Sequence, residues 1–259
     1  TGLVSSIALS SPGTVTTACG EISYREAGVG DALVLLHGIG SGSASWQAQL
    51  AALADRFRVI AWDAPGYGDS DRLAPAAPDA ADYAAALASF LDALAIANCH
   101  LVGHSLGALM ACAFAQRWPA RVRSLFIADP AAGYAKAAPE QRAERKAARL
   151  DLLERLGPAG MAAERSAVLL SDDAPQSAKD RVREIMARVR PDGYRQAVAM
   201  LLDADIHADA RRIALPVQVV CGGADVVTPP AGCREVAESF PDGRFELLAG
   251  LQGDVDLAA

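Results

Sequence analysis

The chain has 259 residues, and 24 Lys plus Arg against 31 Asp plus Glu leave a formal charge of −7. That balance excludes a polybasic nucleic-acid binder, while 52% hydrophobic and 21% charged residues exclude disorder and leave enough apolar surface for a sizeable core. With 56 Ala but only 14 aromatic residues, tightly packed helices are expected rather than an all-β sandwich.

Residues 14–18 and 22–26 read as two short strands around a Cys19-Gly20 turn, and 32–36 is an apolar run ending in His37-Gly38. Residues 58–62 form another buried strand. Residues 79–97 carry Tyr83, Leu87, Phe90, Leu91 and Leu94 at a helical period, and 99–103 return to strand. A helix over 107–118 is stopped by Pro119. Strands at 122–128, 216–221 and 245–248 follow, the first two ending at Asp129-Pro130 and Gly222-Gly223. Strands alternating with helices predict an α/β fold with a doubly wound, mostly parallel sheet.

Between residues 134 and 206 the alternation gives way to four helical patterns, separated by Gly157-Pro158, by residues 172–175 and by Pro191-Asp192-Gly193. The expected organisation is a core built from 1–133 and 207–259 with an inserted helical cap over 134–206. The first cap helix holds Arg142, Arg145, Lys146 and Arg149. Interleaved Glu140, Glu144, Asp151 and Glu154 favour surface ion pairing there over an anion-binding face.

No apolar run reaches the roughly 18 residues of a membrane helix, and the first basic residue, Arg25, follows a polar Ser/Thr-rich lead unlike a secretory signal. A soluble, cytoplasmic protein is expected. Its five Cys are odd in number and lack C-x-x-C spacing, so reduced, buried thiols are expected rather than a disulfide framework or zinc site. Gly28-Val29-Gly30 precedes a strand and not a helix, so a dinucleotide site fails. No cofactor and no metal are expected. The expected partner is a small molecule, with neither nucleic acid nor membrane, and a homo-oligomer stays open.

The strongest chemical signal is Gly103-His104-Ser105-Leu106-Gly107, between the apolar Leu101-Val102 and a helical run. It is a G-x-S-x-G nucleophile elbow in its strand-turn-helix setting, where a sharp turn lifts the serine hydroxyl above the sheet and close backbones require small neighbours. Read as structure alone, the same residues would be a Gly-rich turn whose serine caps a helix.

From this point the chain resembles the α/β-hydrolase fold superfamily over nearly its whole length. His37-Gly38-Ile39-Gly40 resembles the family's oxyanion loop, and the segment Asp63-Ala64-Pro65-Gly66-Tyr67-Gly68-Asp69-Ser70 resembles its D-x-P-G-x-G-x-S loop. The resemblance implies catalytic roles for Ser105 and Asp225, the latter in Gly222-Gly223-Ala224-Asp225, and an oxyanion hole from the backbone NH groups of Ile39 and Leu106. Asp129 occupies the alternative acid position. The 63–70 loop, the cap and the Asp129-Pro130-Ala131-Ala132-Gly133 exit resemble bacterial 3-oxoadipate enol-lactonases and meta-cleavage-product hydrolases. The resemblance thus implies a serine hydrolase of a small ester or lactone, with a carbon-carbon bond hydrolase or a non-catalytic ligand-binding member as alternatives.

One member departs from the pattern. His37, His100, His104 and His207 all precede Asp225, so the order Ser, Asp, His is not completed and the base is unassigned. His104 is expected to pack behind the elbow, His37 to brace its loop, His100 to sit at the far end of the sheet and His207 at the surface. The family's closing helix is also not legible in residues 251–259, so a truncated or altered tail, or a natural loss of the base, is expected.

Overall fold

The computed structural model describes residues 11–171 and 174–249. The histidine-free stretch from residue 250, where no closing helix is legible, and the break at 172–173 lie outside them. Eight strands make one sheet, in the order β1-β2-β4-β3-β5-β6-β7-β8: β1 (Gly13–Thr17), β2 (Gly20–Ala27), β3 (Ala32–Leu36), β4 (Arg58–Trp62), β5 (Cys99–His104), β6 (Val122–Ala128), β7 (Val217–Gly222) and β8 (Gly243–Leu248). β1 pairs antiparallel with β2 and β2 antiparallel with β4, and every other pair is parallel. This is the mostly parallel α/β sheet that the alternation predicts.

The central strands are apolar throughout because both faces are covered. Leu33, Leu35, Val59 and Ala61 pack with Trp46 and with Leu50 of α1 (Gln47–Leu53) on one face. Their neighbours Val34, Leu36, Ile60 and Trp62 face α2 (Ala80–Ala93) and α3 (Leu106–Arg117) on the other. α3 is buried along nearly its whole length, and its Ala, Gly and Cys positions let it press close to the sheet. Asp79 and Asp82 form a capping box at the start of α2.

α2 ends four residues earlier than the apolar period suggests. Ile96 N–H donates back to Leu91 O (2.8 Å) while Ala95 takes φ 55°, a Schellman stop made without the usual glycine. The free cysteines also differ in part from expectation: Cys99, Cys112, Cys221 and Cys233 are buried, but Cys19 is exposed in the β1–β2 turn.

Between β6 and β7 run α4 (Pro139–Leu169), α5 (Gln176–Ala187), α6 (Pro191–Asp203) and the short α7 (Ile206–Ala210); α8 (Pro230–Ser239) precedes β8. α4 is broken at Gly157, whose φ of 65° and ψ of 179° are not helical, just before Pro158. Pro191-Asp192-Gly193 is not a break. Pro191 opens α6, where its missing N–H costs nothing, and Gly193 sits inside it. A Cβ at Gly193 would lie 1.9 Å from Gly66 O, so α6 rests directly on the loop after β4. Gln196 Nε2 donates to Leu73 O and Pro75 O, and Arg190 Nη1 donates to Ser70 O, which fixes α6 over that loop.

Among the described residues no helix is long and apolar enough to cross a membrane.

Candidate active site

Ser105 follows β5 and takes the N-cap position of α3 at φ 51° and ψ −113°, a left-handed conformation rare for a residue with a Cβ. Two glycines permit that turn. A Cβ at Gly107 would lie 2.2 Å from Leu36 O, and one at Gly103 would lie 2.6 Å from Gly107 O, so each position admits hydrogen alone. Ser105 N–H donates to Ala128 O (3.0 Å), and Ser105 O accepts from Ala108 and Ala131 N–H. The elbow is thereby pinned to the next strand.

The loop after β3 is held against the elbow. A Cβ built on Gly38 would come 3.1 Å from Ser105 Cβ. His37, fully buried, donates from Nδ1 to Gly38 O (2.8 Å) and accepts at Nε2 from Ala64 N–H (3.0 Å). Burial lowers its pKa, so it is a neutral brace with both ring nitrogens engaged. Asp63 ties the same region together. Its carboxylate accepts from Ser43 N–H (2.7 Å), Ser43 Oγ (3.0 Å) and Ser23 Oγ (2.7 Å), joining β2 to the loops after β3 and β4. These bonds set the position of Ile39. Leu106 opens α3, so its N–H has no acceptor within the helix.

Ile39, Ser105, Leu106, Asp129 and Asp225 all line one cavity of about 200 Å³, closed on the other side by residues of the helices between β6 and β7. Asp225 is buried; its Oδ1 accepts from Val227 N–H (2.7 Å) and Thr228 N–H (2.8 Å), and its Oδ2 from Thr228 Oγ1 (2.6 Å). Asp129, also buried and at φ 43°, accepts from Gly222 N–H (2.9 Å). Burial, aided by the charge of Asp225, pushes its pKa up to about 6 against the opposing pull of His104 and the Gly222 bond.

Potential ligand atoms of Asp129, Cys221 and Asp225 lie within 4.8 Å of one another. Both Asp225 oxygens are engaged by Val227 and Thr228, Asp129 Oδ1 accepts from Gly222 N–H, and burial holds the Cys221 thiol well above its usual range, so this donor set suits a cation poorly.

His104 departs from expectation. It lines the cavity, with its ring edge-on to Trp46 at 6.3 Å between centroids. The sharp turn at Ser105 turns the two side chains apart but leaves both at the same wall. His100 bonds Ser124 Oγ at the opposite end of β5, and His207, on α7, bonds Ser239 Oγ.

The arginines of α4 depart more. Arg142 pairs with Asp203 and Arg145 lies over Tyr134, as surface pairing predicts, but Arg149 and Arg165 line the cavity. The charge count along α4 gave no hint of this, because inward and outward positions are separated only by the packing of α4 on α5 and α6.

A model of the α/β hydrolase fold family matches residues 31–250. The putative carbamate hydrolase RutD of Stutzerimonas stutzeri is 30% identical over 222 residues, 83% of this chain and 82% of that protein. The pimeloyl-[acyl-carrier protein] methyl ester esterase of Chromobacterium violaceum is 34% identical over 220 residues, 83% of this chain and 84% of that protein. The crystal structure of the enol-lactonase from Burkholderia xenovorans shares the fold at a TM-score of 0.82 and 24% identity, covering 93% of each chain.

Proposed function

Because the chain belongs to the α/β-hydrolase fold family and is a hydrolase by that kinship, we propose that it cleaves a small carboxylic ester or lactone through an acyl-enzyme on Ser105. The observation that carries this reading is the left-handed Ser105 at the cavity wall, beside Ile39 and the N-terminus of α3. In this mechanism Ser105 Oγ attacks the carbonyl carbon while a base takes its proton, and the NH groups of Ile39 and Leu106 receive the negative charge that develops on the carbonyl oxygen. Collapse expels the alcohol, or opens the lactone ring, and water then releases the acid. Asp225 is the acid that would hold the catalytic imidazole in its working tautomer. Residues 226–259 contain no histidine, and of the four histidines present His104 alone is among those lining the cavity.

The helices over 134–206 act in this reading as a cap: Met186, Leu169 and Leu201 give the cavity apolar walls, which exclude bulk water and admit a small substrate. Labelling with a fluorophosphonate, followed by Ser105→Ala, tests the proposal. Labelled Ser105 and an unlabelled, folded variant are expected. A protein that binds esters yet never reacts at Ser105 would be the non-catalytic alternative, and label elsewhere would refute the nucleophile.

A further inference from the structure

Resting on the ester or lactone reading above, we infer that the substrate carries a carboxylate at the end remote from the scissile carbonyl, and that Arg149 of α4 binds it. Arg149 lines the same cavity as Ser105, and its Nη1 is buried without a hydrogen-bond partner. Its neighbours on α4 are paired, Arg142 with Asp203 and Arg155 with Asp151, whereas among the described residues no ion pair includes Arg149. An arginine stays charged at any accessible pH, so a guanidinium nitrogen shut away from water and from acceptors is a costly arrangement that an incoming anion relieves.

The rest of the cavity gives that anion a direction. The carboxylates Asp129 and Asp225 lie with Ser105 at the strand ends, while Arg149 and Arg165, the latter with a partner of its own, lie on α4 across from them. A monoanionic ester is therefore attracted at the helical wall and repelled at the strand wall, which leaves its carbonyl as the end presented to Ser105. A planar guanidinium matches a carboxylate through two parallel hydrogen bonds, and the cavity of about 200 Å³ suits a chain of few carbons between the two groups.

Calorimetry with the 259-residue protein tests the charge apart from the chemistry. Glutaramate, the half-amide with one carboxylate, is expected to bind at least about tenfold more tightly than the neutral diamide of glutarate, the effect of one charge-assisted hydrogen bond. Arg149→Gln is expected to erase the difference and Arg149→Lys to keep part of it. Equal affinity for glutaramate and the diamide, binding of neither, or unchanged glutaramate affinity in Arg149→Gln would overturn the assignment, and inorganic phosphate binding more tightly than glutaramate would overturn the choice of carboxylate. In parallel, the ratio of kcat/KM for mono-4-nitrophenyl glutarate to that for 4-nitrophenyl valerate is expected to fall toward one in Arg149→Gln, with the change in KM. Hydrolysis that survives Ser105→Ala beside an intact glutaramate preference would refute the nucleophile and leave the anion site standing.

Discussion

Asp129→Asn separates a charge from the shape that carries it. The amide keeps an oxygen to accept from Gly222 N–H and removes the buried negative charge beside Asp225. Burial raises the Asp129 pKa from 3.8 to about 6, so the folded state holds its proton more tightly than the unfolded chain does. Stability from this group is full below pH 3.8 and is lost as pH rises through 6, since the unfolded chain releases the proton first. A shift of about two units corresponds to about 3 kcal/mol once both states are ionised. Asp129→Asn is therefore expected to stabilise the fold by about 3 kcal/mol at pH 8 and by about 1 kcal/mol at pH 4.5, and to leave it nearly unchanged near pH 3. For a chain of this size the gain at pH 8 is a rise in Tm of about 6 to 12 °C, readable by calorimetry or circular dichroism. A variant no more stable than wild type at pH 8, or a gain that does not shrink between pH 8 and 4.5, would refute the reasoning.

In a form of the protein whose triad is completed by a histidine after Asp225, Asp225→Asn is expected to lower turnover by about 10⁴ and Asp129→Asn by less, measured on 4-nitrophenyl acetate; the reverse order would make Asp129 the acid. The 259 residues contain no histidine after Asp225, so their turnover is expected to stay below about 1 per second. Faster turnover would place the base among the four histidines present, and His104→Gln would then be the substitution to abolish it. Gly107→Ala drives a Cβ to 2.2 Å from Leu36 O and should prevent folding, whereas Gly232→Ala, with nothing within 4 Å on α8, should stabilise by up to about 1 kcal/mol in urea titrations. Ala95→Gly relieves the left-handed stop of α2 and should raise stability by up to about 1 kcal/mol; a loss would show that the strain is absent.

Local rules were enough for the alternation of elements, because a strand buried on both faces must be apolar throughout and a helix on a sheet must repeat near 3.6. They were enough for the elbow too, since only glycine fits at 103 and 107 when backbones come within 3 Å. They failed where a long-range contact overrides a local preference. Pro191-Asp192-Gly193 reads as a turn, yet it opens α6 because Gly193 must press on Gly66, 127 positions earlier in the chain. Arg149 reads as one more surface charge on α4, and only the packing of that helix over the strand ends turns it into the cavity. The same holds for Asp129, whose pKa is raised by burial against the pull of His104 and of the bond from Gly222 N–H, the latter from a residue 93 positions away. Residue type and short spacing determine which groups can do chemistry, while the dielectric and the partners around each group come from segments that only the folded chain brings together.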